Sequence, residues 1–335
     1  MKGHRLTSEQ WSRYWRHDSI TTFARQFNTN YDGEFAEFWN AQFERLAESA
    51  RIVDLATGNG AIALLAQQYA VTHGKQFSVC GLDYAAIEPA TVLGQHADLA
   101  PLIAGIEFKS GVRMEVTGLD AASVDLLTSQ YGLEYAEPKA AAAEAWRLLA
   151  PDGRIALIMH HNESRVVELA RDGLAQVQFC LQKEELDKRV TALVKIVGEA
   201  TTAAERRELK NNPKAERLRQ KLNASVARIN QRAARYQDPE GFIGVMVPNF
   251  MNVFAAYKEA PLAAKLKYLR HVRAEFDGFR ERMADLSGAA LSSRQFEALV
   301  ATFETVGFAV TQRGLMHYKG DLMGWTLEIA KPASA

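Results

Sequence analysis

Ile52-Val53-Asp54-Leu55-Ala56-Thr57-Gly58-Asn59-Gly60, running on into Ala61-Ile62-Ala63, is the stretch on which the reading of this chain turns. Arg51 to Leu55 reads as a short strand, the two glycines as a turn, and Ala61 to Tyr69 as a helix that can bury Ile62, Leu64, Leu65 and Tyr69. A strand ending in a glycine turn before a helix lets backbone N–H groups come close to a ligand. Gly58 to Ala63 satisfies the dinucleotide pattern G-x-G-x-x-[GA], and Asp83 lies 25 residues beyond Gly58, where an acid can bind ribose hydroxyls. By itself this fits a cofactor site and an ordinary tight turn equally well. Asp54 tips the choice of ligand, because its charge inside the strand disfavours a pyrophosphate and favours a ligand with a cationic end.

From residue 51 onward, strand-length apolar runs alternate with helix-length stretches, the pattern of a parallel sheet wrapped by helices. Phe77 to Leu82, Ile106 to Lys109, Val124 to Thr128 and Ile155 to Met159 are the further strands expected of the main sheet. Pro138 opens a helix over Ala140 to Leu149, and Pro151-Asp152-Gly153 breaks the chain before the fifth strand. From about 163 to 236 dense charge accompanies apolar residues at helical spacing, such as Val190, Leu193, Val194 and Val197. The expectation is an inserted pair of long helices bending at Asn211-Asn212-Pro213, with another helix through Leu262 to Phe276. A helix from Ser292 to Thr305 then leads to two runs, Phe308 to Thr311 and Trp325 to Ala330, expected to pair as an antiparallel hairpin across a turn-rich segment, Gly314 to Gly324.

At this point Ile52 to Gly60 resembles the first motif of the class I (Rossmann-like) S-adenosylmethionine-dependent methyltransferases. The departure is Ala56, where the family more often has glycine. Other landmarks follow in the family's order. Gly81-Leu82-Asp83 resembles the end of the second strand, where the family's acid holds the ribose hydroxyls, and Tyr84 would flank the adenine. Gly111 to Glu115 resembles the segment beside the adenine, without the usual aspartate after the glycine. Ser123 to Tyr135 resembles the fourth strand and the loop that lines the methyl-transfer site; Leu148 to Arg154 and the pair Gly307-Phe308 with Gly324-Trp325 resemble the turn into the fifth strand and the closing hairpin. The resemblance covers residues 51 to 160 and about 290 to 331, leaving the helical insert outside it. It implies a Rossmann-like α/β fold with a mostly parallel seven-stranded sheet and a C-terminal antiparallel hairpin, to which the helical periodicity adds an insertion after strand 5. It implies S-adenosyl-L-methionine as cofactor, on Asp54, Ala56, Thr57, Gly58, Asn59, Gly60, Asp83, Tyr84, Val112, Arg113, Met114, Ser129 and Gln130. Four regions are expected: 1–50, an aromatic-rich helical cover; 51–162, the cofactor-binding core; 163–288, the insertion, serving as lid, substrate region or dimer region; and 289–335, completing the core.

Methyl transfer is an in-line displacement at an activated sulfonium, so alignment and exclusion of water are the main demands; a base is needed only for a nucleophile whose proton has a high pKa. His160 and His161, just past the fifth strand, are the base or substrate-contact candidates, and adjacent side chains on extended chain point opposite ways. Tyr131, Glu134 and His317 stand behind them. Tyr135-Ala136-Glu137-Pro138-Lys139 has the Tyr-x-x-x-Lys spacing of short-chain dehydrogenases, but Pro138 breaks the helix that this pairing requires. The aromatics of the first forty residues, Trp11, Tyr14, Trp15, Phe23, Phe27, Tyr31, Phe35, Phe38 and Trp39, suit either a packed helix or a cover over the cofactor. Glu240 to Tyr257 is apolar enough to wall a pocket. A small apolar or aromatic acceptor is the expectation.

Composition narrows the field further. The 335 residues carry 40 basic and 40 acidic side chains, a formal net charge of zero that provides no global pull toward nucleic acid or an anionic membrane. Cys80 and Cys180 stand far apart without ligand spacing, so neither a disulfide framework nor a metal site is indicated. Met1 to Arg5 runs into polar and aromatic residues rather than a signal-peptide core, and no apolar run reaches the roughly 18 residues of a membrane span. A cytoplasmic enzyme acting on a small molecule, able to dimerise through the insert, is therefore expected, with no membrane and no nucleic-acid partner. Other readings stay open beside it. The charged insert, with Arg206, Arg207, Lys210, Lys214, Arg217, Arg219 and Lys221 among interleaved acids, suits docking to a protein or nucleic-acid substrate. A non-catalytic member binding the cofactor or dimerising, and from the glycines alone an NAD(P)-dependent oxidoreductase, complete the alternatives.

Overall fold

The computed structural model describes residues 5–333 apart from 17, 18, 23–26, 28, 95, 199, 201, 210 and 237–241, and omits the side chains at 236, 242 and 243. The expectations on Met1 to His4, Phe23, Lys210 and Glu240 thus lie outside the described residues, as do those on the side chains of Phe242 and Ile243. The chain forms two units, 1–167 with 285–335, and 168–284.

The first unit is built on a seven-stranded sheet: β1 Arg51–Leu55, β2 Ser78–Asp83, β3 Ile106–Ser110, β4 Val124–Gln130, β5 Leu149–Met159, β6 Ala309–Tyr318 and β7 Asp321–Ala330. Its order is β3-β2-β1-β4-β5-β7-β6. The strands β1 to β5 run parallel, while β7 is antiparallel to both β5 and β6. This is the mostly parallel seven-stranded sheet with an antiparallel C-terminal hairpin that the sequence predicts. The order reverses between β1 and β4, and the crevice at such a switch point, outside the carboxyl ends of the strands, is where open α/β sheets take ligands.

The helices of this unit are α1 Ser8–Tyr14, α2 Gly33–Glu44, α3 Ala61–His73, α4 Pro89–Leu93, α5 Ala100–Ala104 and α6 Pro138–Leu148. Later in the chain α7 Arg165–Gln178, α8 Leu186–Val197, α9 Ala203–Leu209, α10 Pro213–Tyr236, α11 Phe242–Met251 and α12 Leu262–Ala289 follow, and α13 Ser293–Val306 closes the series. Two apolar cores flank the sheet. One joins α2 and α3 through Phe35, Trp39, Phe43 and Leu64. The other joins α6 and α13 through Leu148, Phe296 and Phe303.

The hairpin departs from its expected form. Strand extends through Gly314 to Tyr318 and Asp321 to Gly324, with Gly314 opposite Thr326 and Gly324 opposite Met316. The turn itself is Lys319-Gly320, both at positive φ, as a two-residue connection requires. Gly324 is needed for close approach, since a Cβ there would stand 2.5 Å from the Met159 carbonyl oxygen. The second unit likewise holds more than a helix pair, comprising α8 to α11 and most of α7 and α12 around Leu186, Val190, Leu222, Ile229, Met246 and Phe250. Asn211-Asn212-Pro213 lies between α9 and α10, where a bend was expected, and Pro213 opens α10, with Asn212 Oδ1 accepting from the N–H groups of Lys214 and Ala215. Among the described residues no helix is long and apolar enough to cross a membrane.

Candidate active site

The turn after β1 is held open by backbone conformation. Ala56, Gly58 and Gly60 stand at φ +55°, +54° and +87°, the left-handed region that a Cβ disfavours by about 1–2 kcal/mol. Gly60 caps α3, so the first N–H groups of a 13-residue helix face the crevice. Ala56 accepts its unfavourable conformation beside Gly132, where an added Cβ would stand 2.5 Å from the Ala56 Cβ. The residue that departs from the family pattern therefore packs against a glycine on the neighbouring loop.

Two buried carboxylates flank this turn. Asp54 accepts from the Thr57 hydroxyl at 2.6 Å and the Thr128 hydroxyl at 2.8 Å. Burial raises its pKa to about 7, against the lowering effect of those hydroxyls. Asp54 thus ties β1, the turn and β4 together, and any influence on a cationic ligand acts through its charge. Asp83, at the end of β2, accepts from the N–H of Gly58 and of Ala85, both at 2.7 Å. Burial raises its pKa to about 6, opposed by the same two N–H groups. Beside it the Val112 N–H donates to the Asp83 carbonyl oxygen at 2.8 Å, and the Arg113 guanidinium lies 5.3 Å from the centre of the half-exposed Tyr84 ring. Val112 and Met114 are partly buried against the α6 side of the sheet. The loops after β1, β2 and β3 are therefore brought together. Ser129 and Gln130 end β4 across the switch point; the Ser129 hydroxyl donates to the Leu55 carbonyl, and Gln130 Oε1 accepts from the Trp39 indole at 2.6 Å.

The first helix covers these loops. The Ser8 hydroxyl donates to the Tyr84 carbonyl at 2.8 Å, and the Ser12 hydroxyl accepts from the Ala86 N–H at 2.8 Å. Asn59 Nδ2 donates to the carbonyls of Trp15 and Ser19. A Cβ at Gly58 would stand 2.4 Å from the Trp15 ring. These residues fit the cofactor implied by the resemblance: a glycine cradle closed by an aromatic ring, a helix N-terminus, and an acid at the end of the second strand.

The candidate catalytic residues separate. His160 is buried, Nδ1 to Glu134 Oε1 at 2.6 Å, its ring stacked 4.3 Å from that of Tyr131. His161 corrects its own candidacy, because Nδ1 accepts from the Glu163 N–H at 2.9 Å and the ring lies 4.3 Å from Trp325, a structural placement away from His160. Burial also lowers the His161 pKa. Tyr131, at φ +58°, donates its hydroxyl to the Met323 carbonyl at 3.2 Å. His317 is exposed on β6 and is not brought to this group. Sequence reasoning missed Thr128 as a partner of Asp54, and it placed Trp15 among the aromatics of a cover without its contact on Gly58. Thr128 could have been found, since parallel pairing sets it level with Asp54; the docking of Trp15 on Gly58 is a long-range contact that leaves no local signal.

Residues 53–157 match the family model described as a methyltransferase domain. Demethylmenaquinone methyltransferase of Deinococcus radiodurans is 30% identical over 203 residues, which are 58% of this chain and 76% of that protein. Among solved structures, a SAM-dependent methyltransferase from Aquifex aeolicus aligns at 15% identity over 48% of this chain and 77% of its own, with a TM-score of 0.36. Geranyl diphosphate C-methyltransferase from Streptomyces coelicolor, solved with Mg2+, geranyl-S-thiolodiphosphate and S-adenosyl-L-homocysteine, aligns at 19% identity over 38% of this chain, with a TM-score of 0.32. The match spans 43% of that structure. The chain belongs to the class I S-adenosylmethionine-dependent methyltransferases.

Proposed function

We propose that this methyltransferase acts on a small apolar or aromatic acceptor lodged at the carboxyl ends of β4 and β5. The observation that carries the reading is the series of rings around His160. Tyr131 stacks on it, Tyr135 stands edge-on at 6.2 Å, Trp11 packs 5.6 Å from Tyr135, and Phe35 packs 6.4 Å from Tyr131. Rings of this kind supply apolar area and edge-to-face contacts to a flat ligand. The demethylmenaquinone acceptor named for the Deinococcus relative supports a ring substrate. The cofactor supplies a methyl group on a sulfonium; Asp83, the Gly58–Gly60 turn and the segment Val112 to Met114 hold it, and the rings keep water from the reacting atoms. A screen that measures S-adenosylhomocysteine release over hydroxyarenes, quinols and isoprenoids, beside protein and RNA extracts, tests the reading. Turnover with ring compounds is expected; turnover confined to the macromolecular extracts would contradict it.

A second reading rests on α10. On a helical wheel six of its seven basic residues, Lys214, Arg217, Lys221, Arg228, Arg232 and Arg235, share an arc of about 60° with no acid. Arg228 pairs with Glu184 and Arg232 donates to Gln176, so part of the stripe serves its own unit. The remainder suits a polyanionic substrate, which the extract arm of the same screen detects.

A further inference from the structure

His160 follows directly on β5, with Glu134 on its Nδ1, Tyr131 stacked on its ring and Tyr135 edge-on to it. Glu134 Oε1 accepts both the His160 backbone N–H, at 2.8 Å, and Nδ1, at 2.6 Å. With Nδ1 held against Glu134, Nε2 is the ring nitrogen left to meet a ligand. The Glu134 side chain is 0% exposed and that of His160 4%. Glu134 Oε2 has no hydrogen-bond partner, a state that costs roughly 1–3 kcal/mol in a buried position. A carboxylate beside a ring that gains charge during a reaction has a reason to stay as it is.

The surroundings of the ring narrow the chemistry. Tyr131 and Tyr135 face it, and burial holds both phenols well above their ordinary range, so they keep their protons. Arg5 lies 5.4 Å from the centre of the Tyr135 ring and donates to the Glu134 carbonyl oxygen at 3.1 Å, and Asp285 acts on Tyr135 through its charge. The Asp285 carboxylate is engaged by the Leu6 N–H at 3.1 Å, and Glu134 by His160 itself, which leaves Nε2 of the imidazole as the base candidate among these rings. An amine or thiolate acceptor is already nucleophilic, whereas a hydroxyl bound among apolar rings needs a base to lose its proton near neutral pH.

Resting on the small-acceptor reading above, we propose that the acceptor is a hydroxylated aromatic ring whose proton passes to Nε2 of His160, with Glu134 as the positioning residue. The O–H bond breaks, its proton moves to Nε2, and its electron pair remains on oxygen. That pair, directly or through the adjacent ring carbon, forms the bond to the methyl group as the carbon–sulfur pair is left on sulfur. Transfer to oxygen ends there; transfer to carbon ends with loss of that carbon's proton to solvent. The imidazolium formed is balanced by Glu134 and releases its proton to water.

Nitrogen NMR of the full-length protein labelled with 15N-histidine, saturated with S-adenosylhomocysteine, tests the assignment. The His160 signals are identified by their loss in His160→Gln. The expected result is the Nδ1-protonated tautomer in the wild type, a mixed tautomer in Glu134→Gln, and a shift of the Nε2 signal on adding 1-naphthol or 1,4-dihydroxynaphthalene that 1,4-dimethoxynaphthalene does not produce. With any hydroxyarene turned over, His160→Gln should lower kcat by about 100- to 10,000-fold and Glu134→Gln by about 10- to 100-fold. An Nε2-protonated tautomer in the wild type, or a His160 signal unmoved by both hydroxylated probes, overturns the proposal. Circular dichroism of each variant guards against misfolding. Calorimetric binding of S-adenosylhomocysteine to the same samples separates the two levels: binding with an unresponsive His160 sinks the dyad alone, and absence of binding sinks the methyltransferase reading beneath it.

Discussion

Ala56 and Gly132 show how one residue's conformation fixes another's identity. Ala56 adopts φ +55° and leaves no room for a Cβ at residue 132. Ala56→Gly should leave stability unchanged or raise it by up to about 1 kcal/mol, the relief of left-handed strain opposing the added freedom of the unfolded chain. Gly132→Ala should lower it by about 1–3 kcal/mol, as overpacking does; urea midpoints of the two variants check both signs. The two turn carboxylates bring a pH dependence. Their folded pKa values, about 7 for Asp54 and about 6 for Asp83, lie above the ordinary 3.8. The folded state therefore binds more protons than the unfolded chain between about pH 4 and 7, and this contribution to stability is fully present below pH 4 and fades as pH rises through 6 to 7. The ligand-free protein should have a higher urea midpoint at pH 5 than at pH 8, with the difference reduced in Asp54→Asn and Asp83→Asn. At this scale Asp83 was legible in the sequence because a strand end and a spacing define it. The pairing of Glu134 with His160 was not, because two loops 26 residues apart bring the side chains together.

Among the elements, the α1 segment and the glycine turn depend on each other. Gly58 combines φ +54° with the Trp15 ring against its missing Cβ, so Gly58→Ala meets both strain and collision. Its effect on thermal stability should shrink in a Trp15→Ala background, with a coupling of about 0.5–3 kcal/mol between the two sites. Equal losses in both backgrounds would show that the ring does not press on the turn. The strands β1, β2 and β4 were readable to within a residue or two, since each is a buried apolar run bounded by polar or glycine residues. The five-residue helices α4 and α5 were not, because one turn and a proline give no periodic face. The hairpin was foreseen, with its turn inside the expected segment, but its strands were read too short, because Gly314 and Gly324 read as turn residues when they lie within the strands.

For the molecule as a whole, the sheet unit holds the turn, both carboxylates and the His160 group, while residues 168–284 have an apolar core of their own. A ligand stabilises the unit it binds. Differential scanning calorimetry should resolve two transitions, of which S-adenosylhomocysteine raises one. A single transition shifted entire would contradict independent units. Helical periodicity showed that the inserted segment is folded but not which helices pack together, because apolar faces specify burial without naming a partner. The cofactor site carries the account most directly, and isothermal titration calorimetry of S-adenosylhomocysteine at pH 7.5 against the wild type and Asp83→Ala addresses it. The predicted result is saturable binding at one site, weakened roughly 10- to 100-fold by the loss of the carboxylate's charge-assisted hydrogen bonds. No binding by the folded wild type, or equal affinity in the variant, would contradict it.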